Sequence, residues 1–190
     1  MMNFNFNVSE LMFLMPELFL LAAISCILLF DLYVKEELKK FTYHLSQLAL
    51  LITGLLAFNL IGESATIFSG TFVLDTLGST FKVFIAGFSI IALVYSRHYL
   101  SVHGLLRNEY FILALMSILG MLVMVSGHSL LTLYLGLEIM SLSLYALIAT
   151  ARDRAFAIEA ALKYFVLGAI ASGLLLYGMS MIYGITGNLD

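Results

Sequence analysis

Glu138 lies near the centre of the apolar stretch 130–149, LLTLYLGLEIMSLSLYALIA, and the next apolar stretch carries Lys163 at a comparable depth. A charge at the centre of a bilayer costs roughly 2.5–3.5 kcal/mol even on the lenient insertion scale. Keeping one of each sign on consecutive spans points to a chain that moves or senses charge. Glu138 is nine residues past Ser129 and Lys163 nine past Arg154, so each sits roughly 13 Å in from its own edge by helix rise. In a slab about 30 Å thick both fall close to the midplane. On antiparallel neighbours that spacing allows a direct or water-bridged contact, and depth alone does not decide whether the two touch. The protonation of a buried acid or base depends on desolvation and on the opposite charge beside it. Moving the partner away can therefore release or capture a proton, which is the basis of a relay. The competing reading is a static pair that ties two helices together.

Three further ionisable residues belong to the candidate set. Glu159 precedes Lys163 by four residues, the favoured order for a pair on one helix face. It either satisfies the lysine or forms the entry side of a charge chain. Lys82 falls eleven residues into the expected third span, with Asp75 seven residues earlier on the same face. About 10 Å of helix separates these two, too far for direct pairing without a bend or water. Asp75 reads as interfacial, and the long stem of Lys82 allows snorkelling. Glu17, just after Pro16, reads as a first-turn acid at a helix N-terminus. Ser141 and Ser143 lie near Glu138, but bonding back to their own helix is at least as natural. Gly168, Ala169, Ser172 and Gly173 allow close helix approach.

These residues need a membrane scaffold, and the composition supplies one. The chain is 62% hydrophobic and 11% charged, against about 25% charged in soluble domains. Its mean hydropathy is +1.05. One proline and no tryptophan suit long helices, with tyrosine and phenylalanine left for the interfaces. The net charge of −3 says little about partners because the charges are segregated along the chain; the lipid bilayer is expected as a partner and nucleic acid is not. The single cysteine, Cys26, excludes an intrachain disulfide and reads as a small buried residue. MMNFNFNVSE has no basic start and no small-residue cleavage site, so the first apolar segment reads as a retained helix. His44, His98, His103 and His128 lie near the expected interfaces without metal-ligand spacing, and no phosphate loop or nucleophile motif is present.

The fold class that follows is all-α, a polytopic integral membrane protein. Six segments are long enough to cross: 11–33, 41–61, 71–95, 110–125, 130–149 and 156–183. The short SGHS turn at 126–129 makes the fourth and fifth antiparallel neighbours. Lys35, Lys39, Lys40, Arg97, Arg107, Arg152 and Arg154 fall in alternate connections, while the others hold no lysine or arginine. The positive-inside rule then places those connections in the cytoplasm and both ends outside. The tail stops soon after a long helix, which suggests part of something larger.

The stretches EYFILALMSILGMLVMVSGHSLLTLYLGLEIMSLSLYALIA (109–149) and AIEAALKYFVLGAIASGLLLYGMSMIYGITGNLD (157–190) resemble the subunit N family of bacterial NADH:quinone oxidoreductase, respiratory complex I. More widely they resemble the antiporter-like membrane subunits shared with multisubunit cation/proton antiporters. GLE at 136–138 and EAALKYF at 159–165 are the specific parts; 75–100 matches more loosely and the first two spans mainly in pattern. The resemblance implies a proton-translocating subunit with no cofactor of its own, Glu138 and Lys163 belonging to a line of buried charges. NADH, quinone, FMN and iron–sulfur clusters would belong to the complex and its other subunits, and the other membrane subunits would be its partners. It also implies a fourteen-helix fold with inverted repeats, a common transporter design, of which this chain holds the N-terminal part. Residues 1–105 would be the three N-terminal helices, and 106–190 the first three helices of the antiporter-like module. A subunit of a cation/proton antiporter or membrane-bound hydrogenase would use the same helices, and a non-transporting scaffold is the reading from another class. The expected location is the bacterial inner membrane.

Overall fold

Apolar length sets the architecture. In the computed structural model, which describes residues 8–33 and 41–189, six helices are long and apolar enough to cross a membrane. A short helix α1 (Val8–Phe13) turns into α2 (Met15–Tyr33). Pro16 stands in the first turn of α2, where its missing N–H leaves no bond unmade. The helix α3 (Phe41–Asn59) follows, then a hairpin of β1 (Ala65–Ile67) and β2 (Phe72–Leu74). After it come α4 (Thr76–Val102), α5 (Asn108–Ser126), α6 (Leu130–Ala149) and α7 (Ala155–Thr186).

Contacts between connections show that the helices run alternately up and down. At one end, Arg107 pairs with Asp153 and Arg152 with Glu109, joining the start of α5 to the link between α6 and α7. At this basic end Asp31, at the end of α2, accepts from Thr42 of α3 and Asn108 of α5. Arg97 of α4 lies over the Tyr43 ring of α3. At the opposite, hairpin end, the His128 N–H donates to the Thr71 carbonyl and the Leu130 N–H to that of Leu189. Phe72 also bridges to Gly127.

The core gathers around α5, whose Leu115 and Leu122 are fully buried with Leu20 of α2 and Leu50 of α3. Against α6 the approach is backbone to backbone: a Cβ on Gly120 would lie 2.6 Å from the Gly136 carbonyl oxygen and 2.6 Å from the Met140 nitrogen. At the other extreme, Ala161 is the buried residue of the 32-residue α7, which packs along α6 alone among its larger contacts.

The expected spans match the helices closely, with one correction. Residues 71–75 do not begin the third span: Phe72, Val73 and Leu74 pair with β1, and the helix starts at Thr76 and runs to Val102. An apolar FVL reads equally as strand or membrane segment, and the hairpin decides it. Cys26 also differs from expectation, being exposed on α2. Lys35, Lys39 and Lys40 lie outside the described residues.

Candidate functional site

Glu138 is the ninth residue of α6, a helix that starts cleanly because the Ser129 side chain accepts from the Thr132 N–H. Tyr145 lies seven residues on, two helical turns along the same stripe. That stripe faces α7: the Tyr145 ring meets Tyr164 edge-on at 4.7 Å and Phe165 at 5.8 Å. Gly168 leaves room for its hydroxyl, since a Cβ there would collide with it. Glu138 is half-buried, and its Oε1 is shut off from solvent with no hydrogen-bond partner among the described residues. Tyr134, one turn earlier, brings its phenol beside the carboxyl. Ser143 donates back to the Ile139 carbonyl at 2.6 Å rather than to Glu138.

Lys163 takes Glu159 as its partner at 2.5 Å. The direct contact between Glu138 and Lys163 that depth alone left open is not made. Tyr145 sets the register by standing opposite Tyr164 and Gly168, and Glu138 lies two turns away along α6. The two charges are therefore displaced by roughly 10 Å or more along the helix axes. Counting depth from opposite edges had left this register undetermined. The Lys163–Glu159 pair is also open, with side chains 70% and 63% exposed on a helix that otherwise fits a membrane.

The third charged feature lies where sequence reasoning did not place it. Asp75 is the N-cap of α4: its Oδ1 accepts from the Gly78 N–H at 2.7 Å. This commits it to the helix start at the hairpin end, a position compatible with its reading as an interfacial acid. Lys82 is then the seventh residue of α4, nearer the hairpin end than expected, and it does not snorkel to an interface. Its Nζ lies 2.5 Å from Glu17 Oε1, and both side chains are almost completely buried, at 1% and 6%. The Phe72 ring covers the ammonium, 5.2 Å from its centroid. Glu17 is indeed in the first turn of α2, but its environment is this ion pair. A signal was available: α2 and α4 run in the same direction, one carrying an acid and the other a base within two turns of the same end. A helical side chain leans back toward its N-terminus, which brings the lysine up to the glutamate.

The histidines flank the bundle. His44 and His103 lie by the basic end and His128 by the hairpin end. Among the described residues no cluster of histidine, cysteine or acidic side chains could hold a metal ion.

Against known proteins, residues 127–190 match the family described as NADH:quinone oxidoreductase/Mrp antiporter, TM. The chain is 66% identical over 186 residues to an NADH-quinone oxidoreductase subunit N of Ruthia magnifica, with 97% of this chain and 38% of the relative covered. It is 48% identical to the subunit N of Alkalilimnicola ehrlichii, covering 98% and 38%. Among solved structures it is similar to a chain of respiratory complex I from Thermus thermophilus with bound aureothin. That match has a TM-score of 0.75 and 28% identity, covering 92% of this chain and 38% of that one. The fold alone is shared with the archaeal membrane-bound sulfane sulfur reductase, at a TM-score of 0.77 and 24% identity, with coverage of 94% and 38%. The chain thus spans 38% of the length of these curated relatives.

Proposed function

The chain belongs to the family of the NADH-quinone oxidoreductase subunit N proteins, and from that premise we propose that it forms part of a proton-translocating membrane subunit. In this reading residues 106–190 carry the working charges and 1–105 brace them. Quinone reduction by NADH, with FMN and iron–sulfur clusters, takes place in partner subunits of the complex. The basic end, with Arg97, Arg107, Arg152 and Arg154, faces the cytoplasm and the hairpin end faces outward.

The observation that carries the proposal is the Glu138 carboxyl, half-buried in a membrane helix with one oxygen sealed off and unpartnered. An ionisable group inside a membrane is a functional candidate by default, and no ion pair among the described residues fixes the charge of this one. Glu138 takes and passes the proton on the α7-facing stripe of α6. Lys163 and Glu159 form the adjoining station on α7, and their contact opens and closes as charge moves. Because Glu138 and Lys163 are displaced along the helices, transfer between them runs through water or through side chains beyond these six helices.

The subunit N relatives favour the oxidoreductase over the antiporter and hydrogenase readings. The test is NADH-driven proton uptake by inverted vesicles carrying full-length subunit with Glu138→Gln, normalised to assembled complex and electron flux. The expected result is normal assembly with fewer protons moved per electron. Unchanged proton movement would reduce Glu138 to a structural charge and support the scaffold reading.

A further inference from the structure

Four polar atoms are buried together at the hairpin end without hydrogen-bond partners among the described residues: both carboxylate oxygens of Glu17, Lys82 Nζ and Ser79 Oγ. Lys82 Nζ and Glu17 Oε1 are in contact at 2.5 Å, and that single pairing still leaves ammonium protons, the second carboxylate oxygen and the Ser79 hydroxyl to be met. Ser79 is completely buried, one helical turn before Lys82 on the same face of α4. Asp75, the nearest other acid along α4, is occupied by the Gly78 N–H. Phe72 closes the remaining side with an aromatic face, which attracts a cation but accepts no ordinary hydrogen bond.

An ammonium has three N–H donors, a carboxylate about four acceptor positions, and a hydroxyl both functions. Buried groups of this kind are almost always satisfied, and a buried water typically does so with two to four polar partners. A second cation is disfavoured by the lysine, and an anion by the glutamate. Water is the ligand that can accept from Nζ and donate to the carboxylate while bonding the hydroxyl. We propose that Glu17, Lys82 and Ser79 bind a buried water and form a second proton-holding site, at the hairpin end and separate from Glu138.

A proton can then sit on Nζ, or move to the carboxylate to leave a neutral amine and a neutral acid, with the total charge of the site unchanged. The water gives that proton a route off the pair. Its water binding stands independently, whereas its use in transport rests on the reading of the chain as a proton-translocating subunit.

The test has two arms on the full-length subunit in the assembled complex. A high-resolution electron cryo-microscopy map of the wild type is expected to show water within hydrogen-bond distance of Lys82 and of Glu17 or Ser79. A dry site with the Ser79 hydroxyl turned onto the Asp75 carbonyl would overturn the proposal, whatever any variant does. The second arm is Ser79→Ala, which keeps both charges and removes one water ligand. It is expected to lower protons moved per electron, with assembly and electron flux retained; an unchanged ratio would overturn the proton-holding role. Running Glu138→Gln in parallel separates the readings, because normal pumping there with impaired Ser79→Ala sinks Glu138 and leaves this site standing.

Discussion

Two Glu–Lys pairs have the same 2.5 Å separation and opposite surroundings. Glu17–Lys82 joins α2 to α4 and is sealed by Phe72, whereas Glu159–Lys163 sits on one face of α7, largely uncovered. The difference follows the helices that carry them. α2 to α5 wrap one another around a shared apolar core, and the hairpin adds a second small cluster of Ile67 and Phe72 with Leu14. α7 leans on α6 and presents Phe156, Leu162, Leu167 and Leu174 outward. What a pair does is therefore set by what covers it. In the sealed region both partners are locked by burial, and losing either leaves a stranded charge. Glu159–Lys163 lacks such cover on these six helices. Helical side chains lean toward the N-terminus, here the basic end, so the pair has room to part and re-form, whereas the sealed pair can shift a proton only in place.

The comparison breaks most sharply at Lys82. Lys82→Met leaves the Glu17 carboxyl buried without its cation, a loss of about 3–5 kcal/mol for a broken buried pair. Full-length subunit carrying it is expected at much reduced abundance, with a lowered thermal unfolding midpoint in detergent. Adding Glu17→Gln should restore much of both, because apolar or neutral replacement of a buried pair is often tolerated. A single variant as stable as wild type would mean the pair is not sealed. The next largest effect belongs to the seam between the two regions. Gly136→Ala places a methyl 2.6 Å from Met124 Cγ and 2.9 Å from the Gly120 carbonyl oxygen. Overpacking of this kind costs about 1–3 kcal/mol, read as a fall in unfolding midpoint. A neutral result would show that α5 and α6 are not held at backbone contact.

The contrast between regions also explains what could be read from the chain beforehand. Span 130–149 coincides with α6, because a polar turn precedes it and Ser129 caps it. Apolar length was enough for six helices, and for Glu138 well inside the fifth of them. Lateral neighbours were not available from length. Glu17 on α2 and Lys82 on α4 are separated in sequence by α3 and the hairpin, and nothing in either local stretch identifies its partner. The hairpin went unseen because β2 is an apolar run directly before a membrane helix. That placed the start of α4 too early and Lys82 too deep. The Glu138–Lys163 contact stayed undecided for a related reason: rise per residue fixes depth on one helix, but aromatic packing at Tyr145 fixes how two helices slide.

The smallest expected stability effect is on the open face, and it tests the comparison most directly. Lys163→Met removes the cation from Glu159, which is the fifth residue of α7 and stands close to the basic end. The freed carboxylate can turn toward that end and its arginines instead of being trapped. Pairs exposed to water contribute about 0–1 kcal/mol, and with Glu159 within reach of the aqueous basic end the unfolding midpoint and abundance of the full-length subunit should stay close to wild type. Protons moved per electron should nevertheless fall, since the α7 station has lost its base. A destabilisation as large as that of Lys82→Met would mean that α7 is as tightly covered in the assembled complex as α4 is here. The openness of its face would then be a property of these six helices alone, and the mobile role of the Glu159–Lys163 pair would be lost with it.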